Sequence, residues 1–112
     1  MMTLNQYQEL ARRTQDKSLT NRDRLEHALW GLASEVGEVC GIYQKLHQRH
    51  PLDEKAVADE MGDVLWFLAE LADYLGISLD SVAEHNICKL LKRYPEGFSG
   101  DRSINREEYQ NA

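Results

Sequence analysis

Glu35 and Glu38 stand three residues apart, and after a 21-residue spacer Glu60 and Asp63 repeat the spacing. On a helix, an i, i+3 pair lies on one strip, about one turn apart. Four carboxylates brought together repel strongly unless a cation sits between them. Oxygen donors with no His or Cys suit a hard cation, Mg²⁺ or Mn²⁺. Mg²⁺ is held by a few carboxylates plus waters and substrate phosphate oxygens. That donor set points to metal-assisted phosphoryl or nucleotidyl chemistry with water as the nucleophile.

Spacing alone is a weak signal, because Glu70 and Asp73 share it. A helical wheel puts that third pair opposite Met61 and Leu65, so it is expected to be solvated surface charge. Glu35/Glu38 and Glu60/Asp63 instead flank apolar stripes on consecutive helices. Gly37, Gly41 and Gly62 lie beside them. Each helical glycine costs about 1 kcal/mol, so close helix approach or room for a ligand is expected there.

The elements that carry these residues read as helices almost throughout. Proline occurs only at Pro51 and Pro95. Leu4, Tyr7, Leu10 and Ala11 predict a first helix over about 3–16. Leu25, Ala28, Leu29, Leu32, Val36, Val39, Tyr43 and Leu46 recur at helical spacing and predict a second over about 22–49. His50-Pro51 ends it, because a residue before proline is pushed out of the α region. Asp53 caps a third helix bearing Val57, Met61, Val64, Leu65, Leu68, Ala72 and Leu75, which Gly76 stops. Ser78 caps a fourth over about 79–94, closed by Pro95-Glu96-Gly97. Residues 98–112 are read as a loose polar tail with a turn near Glu107. The expected fold is all-α: a four-helix bundle of two long antiparallel helices plus N- and C-terminal helices, forming one domain over 1–112. The acidic strips meet at a rim of the interface where the apolar stripes pack. Trp30 and Trp66 fall off those stripes, which predicts a second buried face on each helix, covered by a partner subunit.

At 112 residues the chain buries about two-thirds of its unfolded surface, and partner subunits would add to that. A net charge of −6 argues against nucleic acid or an anionic membrane as partner. No apolar run approaches the ~20 residues that span a bilayer. The N-terminus is polar and mixed in charge, unlike a signal peptide. Cys40 and Cys88 are expected as free, partly buried thiols in a reducing compartment, so the chain is read as cytoplasmic.

The stretches GLASEVGEVCGIYQK (31–45) and DEMGDVLWFLAELADYLGISL (59–79) resemble the MazG-like all-α nucleoside triphosphate pyrophosphohydrolases. The hallmark is Glu-x-x-Glu, a spacer, then Glu-x-x-Asp. HNICKLLKRYPEGFS (85–99), followed by Ser103-Ile104-Asn105-Arg106, resembles the end of short single-domain members. The likeness covers about 25–106. It implies cleavage between the α- and β-phosphates to a nucleoside monophosphate and pyrophosphate. It also implies Mg²⁺ on Glu35, Glu38, Glu60 and Asp63, a homodimer or dimer-of-dimers, and a house-cleaning role against non-standard or surplus nucleotides.

Glu38 or Glu35 is the candidate to orient or deprotonate the attacking water. Asn86, Lys89 and Arg93 share one face of the fourth helix. Lys89 and Arg93 there could neutralise a triphosphate, and Asn86 could hold a carboxylate or a substrate group. Lys45 is a further candidate phosphate contact, and Tyr94 and Trp30 are candidate base-stacking residues. His27 is read as a partly buried structural histidine, with a contact to the nucleotide as the alternative, and His47 and His50 as no metal site. A di-iron helical protein would need Glu-x-x-His, which no glutamate here provides. The non-enzymatic rival is a metal-free helical interaction module, which gives no reason for two acidic strips beside the core.

Overall fold

The computed structural model describes residues 1–106. The turn expected near Glu107 lies outside them. Helix α1 spans Leu4–Ala11, and a 3₁₀ turn over Arg12–Thr14 follows. Helix α2 spans Asn21–Gln44 and runs into a 3₁₀ turn over Lys45–Gln48. Helices α3 (Glu54–Leu75), α4 (Leu79–Arg93) and α5 (Gly100–Ile104) complete the described chain. No β-strand occurs among the described residues.

Local chemistry sets these boundaries. Thr3 and Gln6 form a reciprocal capping box that starts α1. Thr20 accepts from the Asp23 amide at the start of α2, and Asp53 accepts from the Ala56 amide at the start of α3. Gly76, at φ 70°, closes α3 in the left-handed conformation that glycine adopts without strain. The first two helices end earlier than their apolar periodicity predicts. The Thr14 hydroxyl donates to the Ala11 carbonyl, and α1 tightens into 3₁₀ geometry before Gln15 turns extended. At the end of α2, tightening gives way to a left-handed Arg49 (φ 67°), which reverses the chain ahead of Pro51. Residues 98–106 are also not uniformly loose, since Ser99 accepts from the Arg102 amide and caps α5.

The chain forms two compact units, Met1–Leu79 and the segment from Asp80 onward. In the first, α2 and α3 pack along much of their length, and α1 lies on α3. The core here is small: Ala11, Ala69, Ala72 and Leu79, with Tyr7, Leu65 and Trp66 packed against it. Gln8 is 1% exposed. Its amide donates to Asp73 Oδ1 (2.8 Å) and the Ile77 carbonyl (3.0 Å), and its Oε1 accepts from the Leu79 amide (2.7 Å). This one buried side chain ties α1 to the end of α3 and satisfies an amide at the start of α4.

Four expectations need correction. Glu70 and Asp73 do not face solvent. Glu70 is 2% exposed and bonds His27, while Asp73 accepts from Gln8, Arg12 and Gln15. α1 and the turn after it cover α3 at Asp73, and α2 meets it at Glu70, which a wheel drawn for α3 alone does not show. Trp66 is covered the same way, within the chain, and its indole N–H donates to the Thr14 hydroxyl at 2.8 Å. Trp30, by contrast, stays 68% exposed. Third, the apolar stripes do not close on each other. Val36, Val39, Met61, Val64, Leu65 and Leu68 line an open apolar groove of ≈ 530 Å³, and Met61 is 60% exposed. Cys40, on the wall of that groove, and Cys88 are both exposed thiols rather than partly buried ones.

Candidate metal centre

Contacts between α2 and α3 fix their pairing. Carboxylate oxygens of Glu35 and Glu60 come within 4.8 Å, Gly31 faces the Phe67 ring, and His27 bonds Glu70. Numbers rise on one helix as they fall on the other, so the helices are antiparallel. Positions 27, 31, 35 and 38 of α2 and 60, 63, 67 and 70 of α3 each follow steps of three or four. They therefore share one strip on each helix. Both acidic pairs lie on this shared rim because the two helices are in that register.

Carboxylate oxygens of Glu35, Glu60 and Asp63 lie within 4.8 Å of one another. Glu38 is not part of this close trio, but its charge reaches Glu60. The hydrogen bond to Glu35 pushes the Glu60 carboxyl above its ordinary range. Lost hydration and the charges of Glu35, Asp63 and Glu38 push the same way. Like charges so close favour holding a proton on one of them, and a divalent cation would relieve the same repulsion. The trio fits a hard cation: all donors are oxygen, and they come from two rigid helices.

Two neighbours of this rim have partners that the sequence does not show. Tyr7 of α1, expected only as an apolar contact, has its hydroxyl pushed upward by burial and by the charge of Asp63. The second is the pair formed by His27 and Glu70, Nδ1 to Oε1 2.6 Å. The sequence offers His27 as a structural residue or a nucleotide contact and the wheel puts Glu70 in solvent, but nothing in it pairs the two. The glycine that mediates close approach is Gly31, where a Cβ would overlap the Phe67 ring. Gly37, Gly41 and Gly62 have nothing within 4 Å of a built Cβ, so close approach within the chain does not account for them.

The other candidates are carried by α2, by the turn after it and by the second unit. Trp30 is exposed on α2, and Lys45 is exposed in the 3₁₀ turn after it. Asn86, Lys89 and Arg93 lie along α4 in the second unit, Asn86 exposed and the two basic residues half-buried. Tyr94 packs on Phe98, with ring centroids 5.4 Å apart and tilted by 40°.

Residues 24–98 match the family model of the MazG nucleotide pyrophosphohydrolase domain. The chain belongs to the MazG family. The matched span contains α3, nearly all of α2, and all four hallmark carboxylates. The chain is also similar to the Gene 37 protein of Mycobacterium phage L5. The two are 33% identical over 88 residues, which is 69% of this chain and 75% of the phage protein. No solved structure matches the chain. No helix among the described residues is long and apolar enough to cross a membrane.

Proposed function

We propose that this MazG-family chain is a Mg²⁺-dependent nucleoside triphosphate pyrophosphohydrolase. It would cut the α–β phosphate bond of non-standard or surplus nucleotides in the cytoplasm, as one MazG-like domain. The observation that carries this reading is the trio of carboxylate oxygens within 4.8 Å on the family's two hallmark helices.

Glu35, Glu60 and Asp63 would hold the metal, with Glu38 completing the set. Mg²⁺ or Mn²⁺ bound there would supply Lewis-acid polarisation of the phosphates and a more acidic water. The protein's own part is positional and acid–base. Glu38, outside the close trio, has a carboxylate available to orient the attacking water and take its proton; Glu35 is the alternative. As the water oxygen bonds to the α-phosphorus, the bridging oxygen to the β-phosphorus departs with its electron pair. The products are the monophosphate and pyrophosphate. Lys89, Arg93 and Lys45 would neutralise the phosphates, Asn86 would hold a carboxylate or a substrate group, and Tyr94 and Trp30 would stack on the base. The open groove at Val36, Met61 and Leu68 supports assembly as a homodimer or dimer-of-dimers, since apolar surface of this kind marks an interaction face.

The test is release of monophosphate and pyrophosphate from a panel of canonical and modified nucleoside triphosphates with Mg²⁺. Glu38→Gln and Asp63→Asn are each expected to abolish turnover while leaving the helical circular dichroism unchanged. Pyrophosphate release retained by either purified variant refutes the assignment.

A further inference from the structure

The shared rim of α2 and α3 does not end at the carboxylates. From Asp63, α3 continues through Phe67 to Glu70. That span of seven residues is about 10.5 Å of helix axis and returns to nearly the same side. Opposite them on α2 are Gly31 and His27. The absence of a side chain at Gly31 lets the Phe67 ring lie against α2. The His27 ring sits 5.5 Å from Phe67, and 6.3 Å from Trp66, which it meets edge-on. It is therefore fixed by aromatic contacts on one side and by a carboxylate on another.

That carboxylate is unusual for its depth. Glu70 has 3% of its side chain exposed, whereas His27 has 46%. A carboxylate only accepts hydrogen bonds, so Nδ1 of His27 donates to it. In the uncharged ring this leaves Nε2 as an acceptor with a defined direction. His27 makes no second hydrogen bond among the described residues. A histidine that served only to satisfy Glu70 would not need its other edge exposed. The arrangement is a buried carboxylate orienting an imidazole that offers one acceptor to a visitor.

We propose that His27 is a specificity-determining contact for the nucleoside end of the substrate, with Glu70 as its positioning residue. This rests on the pyrophosphohydrolase reading: phosphates held at Glu35, Glu60 and Asp63 leave the sugar and base to extend along the rim. Nε2 accepts from a sugar hydroxyl or a base N–H. Phe67 and Trp66 form the apolar wall that keeps the imidazole in place.

Two variants separate this role from a structural one. In His27→Asn the amide still donates to Glu70 but puts no acceptor where Nε2 was. In Glu70→Gln the ring stays, but the amide can meet Nδ1 with either its oxygen or its N–H, so an acceptor at Nε2 is no longer enforced. Both variants are expected to raise KM for the nucleotide about tenfold, the scale of one lost hydrogen bond, with a much smaller effect on kcat. Inorganic tripolyphosphate has no nucleoside, so its KM is expected not to move.

A second readout needs no turnover. The imidazole ¹H and ¹⁵N signals of wild-type His27 are followed by NMR while a panel of unphosphorylated ribo- and deoxyribonucleosides is added without Mg²⁺. A saturable shift from at least one nucleoside, absent in Glu70→Gln, supports the proposal. Ring signals unmoved by every nucleoside, or His27→Asn with wild-type KM, overturn it. If the wild type hydrolyses no triphosphate, the pyrophosphohydrolase reading fails, and the ring titration still decides whether His27 meets a nucleoside.

Discussion

Replacing Asp73 with Asn removes a charge with almost no change in volume, and its cost follows from what surrounds the carboxylate. Asp73 Oδ1 accepts from Gln8 Nε2 at 2.8 Å and from Arg12 Nε at 2.9 Å, and Oδ2 accepts from Gln15 Nε2 at 2.7 Å. Arg12 adds a second contact through its terminal nitrogen at 2.8 Å, and the Asp73 side chain is 7% exposed. Burial by itself would raise this carboxyl, but the donors from Arg12, Gln15 and Gln8 outweigh it and hold it below its ordinary value. In Asp73→Asn one oxygen becomes an N–H that faces the Gln15 amide, and the guanidinium loses its counter-ion. Hydrogen bonds to a charged group contribute about 1.5–3 kcal/mol each, and breaking a buried pair costs about 3–5. Arg12 is half exposed and can turn to water, so the lower end applies, about 3 kcal/mol. For a domain of this size that is a drop in Tm of about 10–20 °C. Urea unfolding followed by circular dichroism, at one fixed protein concentration, measures it. The folded-state value is depressed, so the contribution is complete above the unfolded value of about 3.9 and is lost as pH falls through the lower folded value. The gap between wild type and variant should hold steady from pH 5 to 8 and shrink only in stronger acid. A loss below 1 kcal/mol at pH 7, or a gap that persists in strong acid, would show that the clasp does not anchor α1 to α3.

Other outcomes follow from the same geometry. Gly31→Ala should lose about 1–2 kcal/mol in urea unfolding, because overpacking against a Phe67 ring held by Trp66 and His27 exceeds the gain in helix propensity. Glu60 has the opposite sign to Asp73: its proton is held more tightly in the folded chain. The metal-free midpoint should therefore fall as pH rises from the ordinary glutamate range through the raised folded value. Added Mg²⁺ should restore it above that range, and Glu60→Gln should flatten both responses; thermal melts across pH with and without Mg²⁺ check this. Met61→Asp, placed in the open groove, should shift the assembly toward monomer by light scattering if that face joins two copies.

The helices and the acidic trio were legible in the sequence because they depend on local rules. Apolar spacing, the caps at Asp53 and Gly76 and the i, i+3 carboxylates are properties of one segment at a time. The first two helices end before their sequence pattern does, because apolar periodicity continues past the point where Thr14 and Arg49 turn the backbone. Which side of a helix is covered is a property of its neighbours. Glu70 and Asp73 carry the same spacing as the metal candidates, and only the packing of α1 and α2 on α3 turns them from surface charge into a clasp and a histidine orienter. Likewise the register of α2 against α3 determined that Gly31, rather than Gly37, Gly41 or Gly62, receives a neighbouring ring. The sequence by itself determined which strips are apolar and which acidic. Tertiary structure decided which strips meet, because a pairwise contact depends on two elements and a wheel describes one.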